Sequence, residues 1–190
     1  MKNKKDFILS LYQSDKTVFT IDEIALISRD PERNNLKSKI NYYARKGELR
    51  NVRKGIYTKI EYDPFELATK IFTPSYISLE TVLWNEGVIF QTYETIFVIS
   101  YLSRKIEVDE NQIQYRRINE KYLLNPTGII QKQNYAIATK ERAFLDTLYL
   151  YKEYYFDNLD ALEKEKVFSL LDIYRSRALS NKVRGILGDA

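Results

Sequence analysis

Apolar residues recur at helical spacing through the first part of the chain. Phe7, Ile8, Leu11 and Tyr12 predict an amphipathic helix over residues 6–13. Val18 and Phe19 form a short extended piece. Thr20, with Glu23 three residues on, then carries the capping-box pattern ahead of Ile21, Ile24, Ala25 and Leu26. This second helix is expected to end between Ser28 and Asp30, because Pro31 drives the residue before it out of the helical region and suits the first turn of another helix. The third helix is predicted over residues 31–46. Leu36, Ile40 and Tyr43 fall on one face and leave Arg33, Asn34, Lys37, Ser38, Asn41, Tyr42 and Arg45 toward solvent. Gly47 is a helix stop. Beyond it Leu49, Val52, Ile56 and Tyr57 can pack across a small hairpin with its bend at Gly55.

The second half reads differently. Asp63 at an N-cap and Pro64 at a first helical position open a helix over residues 63–72, and residues 78–86 predict another, in which Ser78 caps and Trp84 packs. Strands are predicted at residues 95–102 and 112–118, with one or two more across 129–138 around a polar turn at 131–134. A helix over residues 139–152 carries Ala143, Phe144, Leu148 and Tyr151 on one face, and residues 160–174 and 178–187 supply two more. The expected fold class is α+β: an N-terminal winged helix-turn-helix over residues 1–60, then a mixed α+β domain with a helical tail over 61–190.

Charge sharpens this division. Residues 1–60 hold 14 Lys or Arg against 7 Asp or Glu, and residues 61–190 hold 16 against 19. The whole N-terminal excess lies between Arg29 and Lys59, which contains ten basic and three acidic residues. Such concentration is the electrostatic footprint of phosphate binding. The chain has no cysteine and no histidine, which excludes disulfides, thiolate metal sites and the commonest general base. No apolar run approaches the ~18 residues of a membrane span, and the run after residues 1–5 is too short for a signal peptide, so a cytoplasmic protein without a membrane partner is expected. The 16 tyrosines, with abundant Asn, Lys and Ile, match the composition an AT-rich genome produces.

The solvent face of the third helix has the residue types of a major-groove reader. Arg pairs bidentately with guanine and Asn with adenine, while Lys and Ser hold phosphates. Arg33, Asn34, Lys37, Ser38, Asn41, Tyr42 and Arg45 are therefore candidate DNA-binding residues, and Arg50, Arg53 and Lys54 on the hairpin would meet the duplex backbone. Arg116 and Arg117 either extend that footprint or end a strand in solvent. Glu141, Arg142 and Asp146 form a charged constellation in an apolar context, either as a functional surface or as a fastening in which Arg142 pairs with Asp146 one turn on.

The string from Ala44 to Tyr57 (ARKGELRNVRKGIY) resembles the third helix and wing of the AbiEi family, the antitoxins of AbiE-type abortive-infection systems. The segment from Pro74 to Gly87 (PSYISLETVLWNEG) is similar to a helix of that family that begins P-S-Y-I-S. The segment from Ile137 to Asp146 (IATKERAFLD) is similar to its later P-E-R-A-x-x-D helix start. Lys140 stands where the family has proline, and Thr81 and Val82 replace a pair of small residues. The resemblance covers about residues 7 to 150. It implies a phage-defence antitoxin without enzymatic activity or cofactor, which represses its own promoter at inverted repeats and counteracts a nucleotidyltransferase toxin without requiring a stable complex. It also implies an antitoxic surface in the second half, with Ser75, Ser78, Glu141, Arg142 and Asp146 as its candidates. A monomer bound to each half-site is expected.

Two other classes are weighed. An enzyme carried on a DNA-binding arm lacks support from any phosphate loop of the G-x-x-x-x-G-K type, any G-x-G-x-x-G, or any acid-x-Lys pair. A winged-helix regulator with a ligand-sensing C-terminal domain shares the same sequence features, and the neighbouring gene separates it from an antitoxin.

Overall fold

A computed structural model of the protein describes residues 4–29 and 33–188, with the backbone alone at Lys4, Lys5, Asp6, Arg33 and Asn34. The chain divides into two compact units, Met1–Ile71 and Phe72–Ala190. The division falls one helix beyond the boundary expected after residue 60.

In the first unit the order is α1 (Lys4–Gln13), β1 (Val18–Thr20), α2 (Ile21–Ser28), α3 (Arg33–Arg45), β2 (Arg50–Arg53), β3 (Ile56–Thr58) and α4 (Pro64–Ile71). Thr20 ends a strand and starts a helix. Its hydroxyl accepts from the Glu23 amide at 3.2 Å, while its own amide donates to the Glu23 carboxylate at 2.9 Å, so two of the orphan donors at the helix start are satisfied. Arg29 adopts a left-handed conformation (φ 49°) and returns its amide to the Leu26 carbonyl, which stops α2 in the expected place. The position expected to open the third helix, Pro31, lies outside the described residues.

Phe7, Leu11, Phe19, Ile24, Leu36, Ile40, Tyr43, Leu49 and Tyr57 form one buried cluster. Leu26 departs from the predicted pattern and is 77% exposed. The three strands make an antiparallel sheet in the order β1-β3-β2. Helix α4 joins this unit through charge. Glu66 is fully buried and accepts from the amide and hydroxyl of Thr17 at 2.8 and 2.7 Å. Lys70 donates to Glu23 at 2.8 Å, and Lys16 pairs with the same carboxylate oxygen. Asp63 receives the Phe65 amide at 2.8 Å, as its predicted N-cap place requires.

The second unit contains β4 (Ser75–Ile77), α5 (Leu79–Asn85), β5 (Thr95–Ser100), β6 (Arg104–Val108), β7 (Asn111–Arg117), α6 (Glu120–Leu123), β8 (Ile129–Gln131), β9 (Ala136–Ala138), α7 (Lys140–Leu150), α8 (Lys164–Leu170) and α9 (Arg177–Leu187). Its six strands lie in the order β6-β7-β5-β4-β9-β8. The pairs β5 with β7 and β4 with β9 are parallel, and the other three are antiparallel. The protein is thus α+β, with a separate sheet in each unit. Helix α7 is buried along most of its length through Ala143, Phe144, Leu145 and Leu148.

Several features differ from expectation; the helix expected over residues 160–174 is broken into a 3-10 turn at Leu159–Ala161, α8 and a second 3-10 turn at Leu171–Ile173. Residues 75–77, which the resemblance alone placed at the start of a helix, form a central strand, because Tyr76 and Ile77 are buried in the sheet between β5 and β9. Strand β6 was not predicted. Trp84 is 43% exposed rather than packed, and Ser78, in the expected place before the helix, makes no side-chain cap bond. No helix among the described residues is long and apolar enough to cross a membrane.

Candidate nucleic-acid interface

Helix α3 owes its orientation to Leu36, Ile40 and Tyr43, which are 5% exposed or less and hold one face against the core. Tyr43 stacks on Phe7 with ring centroids 5.3 Å apart. Fixing that face turns Lys37, Ser38, Asn41, Tyr42 and Arg45 outward, and all five are exposed. Lys37, Asn41 and Arg45 follow one another at successive turns, so they form a continuous stripe. The side chains of Arg33 and Asn34, which belong to the same predicted set, lie outside the described residues. The Arg45 Nε donates to the Asn41 carbonyl at 3.4 Å, which lays its guanidinium along the last turn. Tyr42 packs edge-on against Tyr43, and the Lys46 ammonium sits 4.8 Å from its ring centroid. Lys46 was not among the expected residues. Its position four places after Tyr42 is the signal that could have identified it.

The helix ends where Gly47 takes φ 72° and the amides of Glu48 and Leu49 turn back to the Tyr43 carbonyl. Leu49 is buried and starts the hairpin. Strands β2 and β3 pair with a bulge between Asn51 and Arg53, and Lys54 stands exposed in the turn beside Gly55 (φ 80°). Arg50 and Arg53 are half-buried.

The charge balance of the first unit follows from which groups are tied down. Glu66 is buried, and Glu23 is held between Lys16 and Lys70. Although burial disfavours its charge, these ammonium groups and the Thr20 amide carry the Glu23 carboxyl down to about 2. One cation of the basic segment also has an internal role. Lys59 donates to the Tyr12 and Ser14 carbonyls at 3.2 and 2.6 Å at the end of α1, and burial lowers its pKa. The exposed cations on α3 and the turn, Lys37, Arg45, Lys46 and Lys54, can therefore form a field that these carboxylates do not cancel locally.

The second candidate set does not form a surface. Ser78, Arg142 and Asp146 are 0% exposed and Glu141 is 3% exposed. Ser75 is half-buried in β4, opposite Ser100. The expectation of an antitoxic surface is corrected for Ser78, Glu141, Arg142 and Asp146, which are internal because most of their polar partners come from surrounding parts of the unit, Glu141 accepting from the Glu163 amide at 3.4 Å. Arg142 donates to Asp146 Oδ1 at 3.3 Å, to the Tyr76 hydroxyl at 3.0 Å, and to the carbonyls of Tyr122, Asn125 and Thr127 at 2.7, 3.4 and 2.8 Å. Asp146 also accepts from the hydroxyls of Tyr76, Ser78 and Tyr174 at 3.0, 2.9 and 2.6 Å. Burial raises the Asp146 carboxyl, and Arg142 with the three hydroxyls works against that rise. Arg116 likewise has a packing role, with its guanidinium 4.7 Å from the Tyr151 ring centroid, whereas Arg117 is exposed. Among the described residues no cluster of carboxylates is arranged to hold a metal ion.

No family model matches the sequence, and no curated protein matches it. Among solved structures, the RV2827C protein from Mycobacterium tuberculosis is similar. The superposition has a TM-score of 0.56 with 11% sequence identity, and it covers 96% of this chain and 75% of that chain. At this identity the likeness is one of fold.

Proposed function

We propose that the first unit is a winged helix-turn-helix that binds double-stranded DNA, with α2 and α3 as the helix pair, α3 in the major groove and the β2–β3 hairpin as the wing. The observation that carries this reading is the exposed stripe Lys37, Ser38, Asn41 and Arg45 on the face of α3 away from Leu36, Ile40 and Tyr43, followed by a hairpin with Lys54 in its turn. Asn41 reads base edges, while Lys37, Ser38, Arg45 and Lys54 hold phosphates. Together with the AbiEi resemblance of the sequence, this supports an antitoxin that represses the promoter of its own abortive-infection operon. The protein binds as a monomer at each half-site and opposes a nucleotidyltransferase toxin without a stable complex.

Fluorescence anisotropy of the full chain on its own upstream DNA and on scrambled duplex, across a range of salt, tests the DNA reading. A preference on the order of a thousandfold for the upstream site, falling steeply with salt, supports it. Equal weak binding to both duplexes removes it. Co-expression with the product of any neighbouring nucleotidyltransferase frame tests the antitoxin reading, with growth as the readout; failure to restore growth counts against it.

A further inference from the structure

The second unit carries an exposed aromatic patch that the DNA reading leaves unused. Trp84, Phe90, Tyr93 and Tyr155 are 43%, 65%, 38% and 80% exposed. They come from two segments that the backbone holds together. The Phe90 amide donates to Asp157 at 2.8 Å, the amides of Asp157 and Asn158 donate to the Val88 carbonyl at 3.1 and 3.0 Å, and the Asn158 side chain donates to the Gly87 carbonyl at 3.1 Å. Beneath the rim the rings are linked. Tyr154 lies 5.5 Å from Tyr151 and 4.9 Å from Phe156 between ring centroids, and Tyr93 packs edge-on against Phe97 at 5.5 Å. Trp84 follows Glu80 by one turn on α5, which puts it on the same helix face. The patch is therefore built on a fixed support.

Its surroundings are acidic. Glu86, Glu94, Glu153 and Asp157 are exposed on the same two segments; of the cations beside them Lys152 is exposed, while Lys182 is bound to the Leu148 and Tyr151 carbonyls at 3.1 and 3.0 Å and Arg116 lies over the Tyr151 ring. The buried Glu80 adds a carboxyl oxygen with no hydrogen-bond partner among the described residues. A negative rim repels nucleic acid and attracts cations, and aromatic faces bind guanidinium and ammonium groups through their quadrupoles. Exposed Trp and Tyr on a rigid support are the residue types that dominate protein interfaces, whereas clustered exposed apolar area on a free monomer is uncommon.

We propose that Trp84, Phe90, Tyr93 and Tyr155 form a docking surface for a basic protein segment, one that presents Arg or Lys together with apolar side chains. This surface belongs to the second unit, and its exposed carboxylates are opposite in charge to the exposed cations of α3.

Trp84 is the only tryptophan, so its emission reports directly on the patch. The full chain is titrated with a short synthetic peptide alternating arginine and leucine, and separately with its glutamate–leucine counterpart. A saturable change in Trp84 emission with the first peptide alone is expected. Tyr155→Ala should weaken it on the order of tenfold, consistent with loss of an interface anchor. Glu86→Lys combined with Glu153→Lys should weaken it further without changing the far-UV dichroism. No saturable change, an equal response to both peptides, or binding unaffected by Tyr155→Ala would overturn the proposal. An emission shift produced by phosphatidylcholine–phosphatidylglycerol vesicles but not by the arginine peptide would also overturn it, in favour of a membrane surface.

Discussion

Arg142 and Asp146 lie one turn apart on α7, both fully buried, with the guanidinium Nε 3.3 Å from the carboxylate. Removing one member leaves the other charged and unpaired in the interior. Arg142→Ala is expected to destabilise the second unit by about 3–5 kcal/mol. Urea unfolding followed by tyrosine and Trp84 fluorescence measures it. A loss under about 1 kcal/mol would mean that water or a rearranged partner replaces the guanidinium.

Gly128 approaches the same pair from the loop before β8. Its φ of 76° is left-handed, and a Cβ built there would stand 2.9 Å from Arg142 Cβ and 3.3 Å from Leu170 Cδ1. Gly47 has a similar φ of 72° but nothing within 4 Å of the added carbon. Gly47→Ala is expected to show only the backbone cost, ~1–2 kcal/mol, and Gly128→Ala distinctly more. Thermal melts of the two variants under one condition compare them directly.

Two carboxylates give opposite pH dependences. The Glu23 carboxyl falls from 4.5 to about 2 in the folded protein, so its stabilisation is present above pH 4.5 and is lost as the pH falls from there toward 2. Burial raises the Glu80 carboxyl above 4.5, so its contribution is present below that pH and declines as the pH rises through the raised value. Glu23→Gln should flatten the acid limb of a stability–pH profile. Glu80→Gln should remove a decline on the other side of 4.5, and unchanged profiles would contradict both assignments.

On the DNA-binding reading, α3 and the hairpin turn differ in what they contribute. Asn41→Ala is expected to reduce discrimination between the upstream site and scrambled duplex by ~1–3 kcal/mol. Lys54→Ala should weaken both duplexes alike and reduce the slope of log affinity against log salt by about 1. A Lys54→Ala variant that loses discrimination while keeping its salt slope would assign the turn to base reading instead.

Much of the first unit is legible in the sequence, because its signals are local. Thr20 and Glu23 reach each other across three residues, and Leu36, Ile40 and Tyr43 set the register of α3 by helical spacing alone. The strands behave otherwise. Tyr76 and Ile77 sit in a three-residue strand followed at once by α5, so their apolar run merges with the helix pattern. In β6, Arg104, Lys105 and Glu107 are exposed on an edge strand, which gives no apolar alternation strong enough to predict it.

The candidate residues divide in the same way. A helix face can be inferred from periodicity, so the outward stripe of α3 was foreseen. The burial of Arg142 depends on carbonyls at Tyr122, Asn125 and Thr127 and on hydroxyls at Tyr76 and Tyr174, which come from distant parts of the chain. Only the pairing of Arg142 with Asp146 could be read from sequence separation. The attachment of α4 to the first unit is long-range for the same reason, since Glu66 finds its partner at Thr17.

The two sheets differ in how much chain must exist before they can close. Every strand of the first lies between Val18 and Thr58, so a nascent polypeptide can complete it soon after that stretch leaves the ribosome. In the second, Ile77 pairs in parallel with Ile137, and β4 must wait for β9 while the intervening strands and helices are still being synthesised. A translational pause between these positions would leave one edge of β4 unpaired and exposed to other chains. Synthesis rate between residues 77 and 137 therefore bears on the yield of the second unit much more than on that of the first.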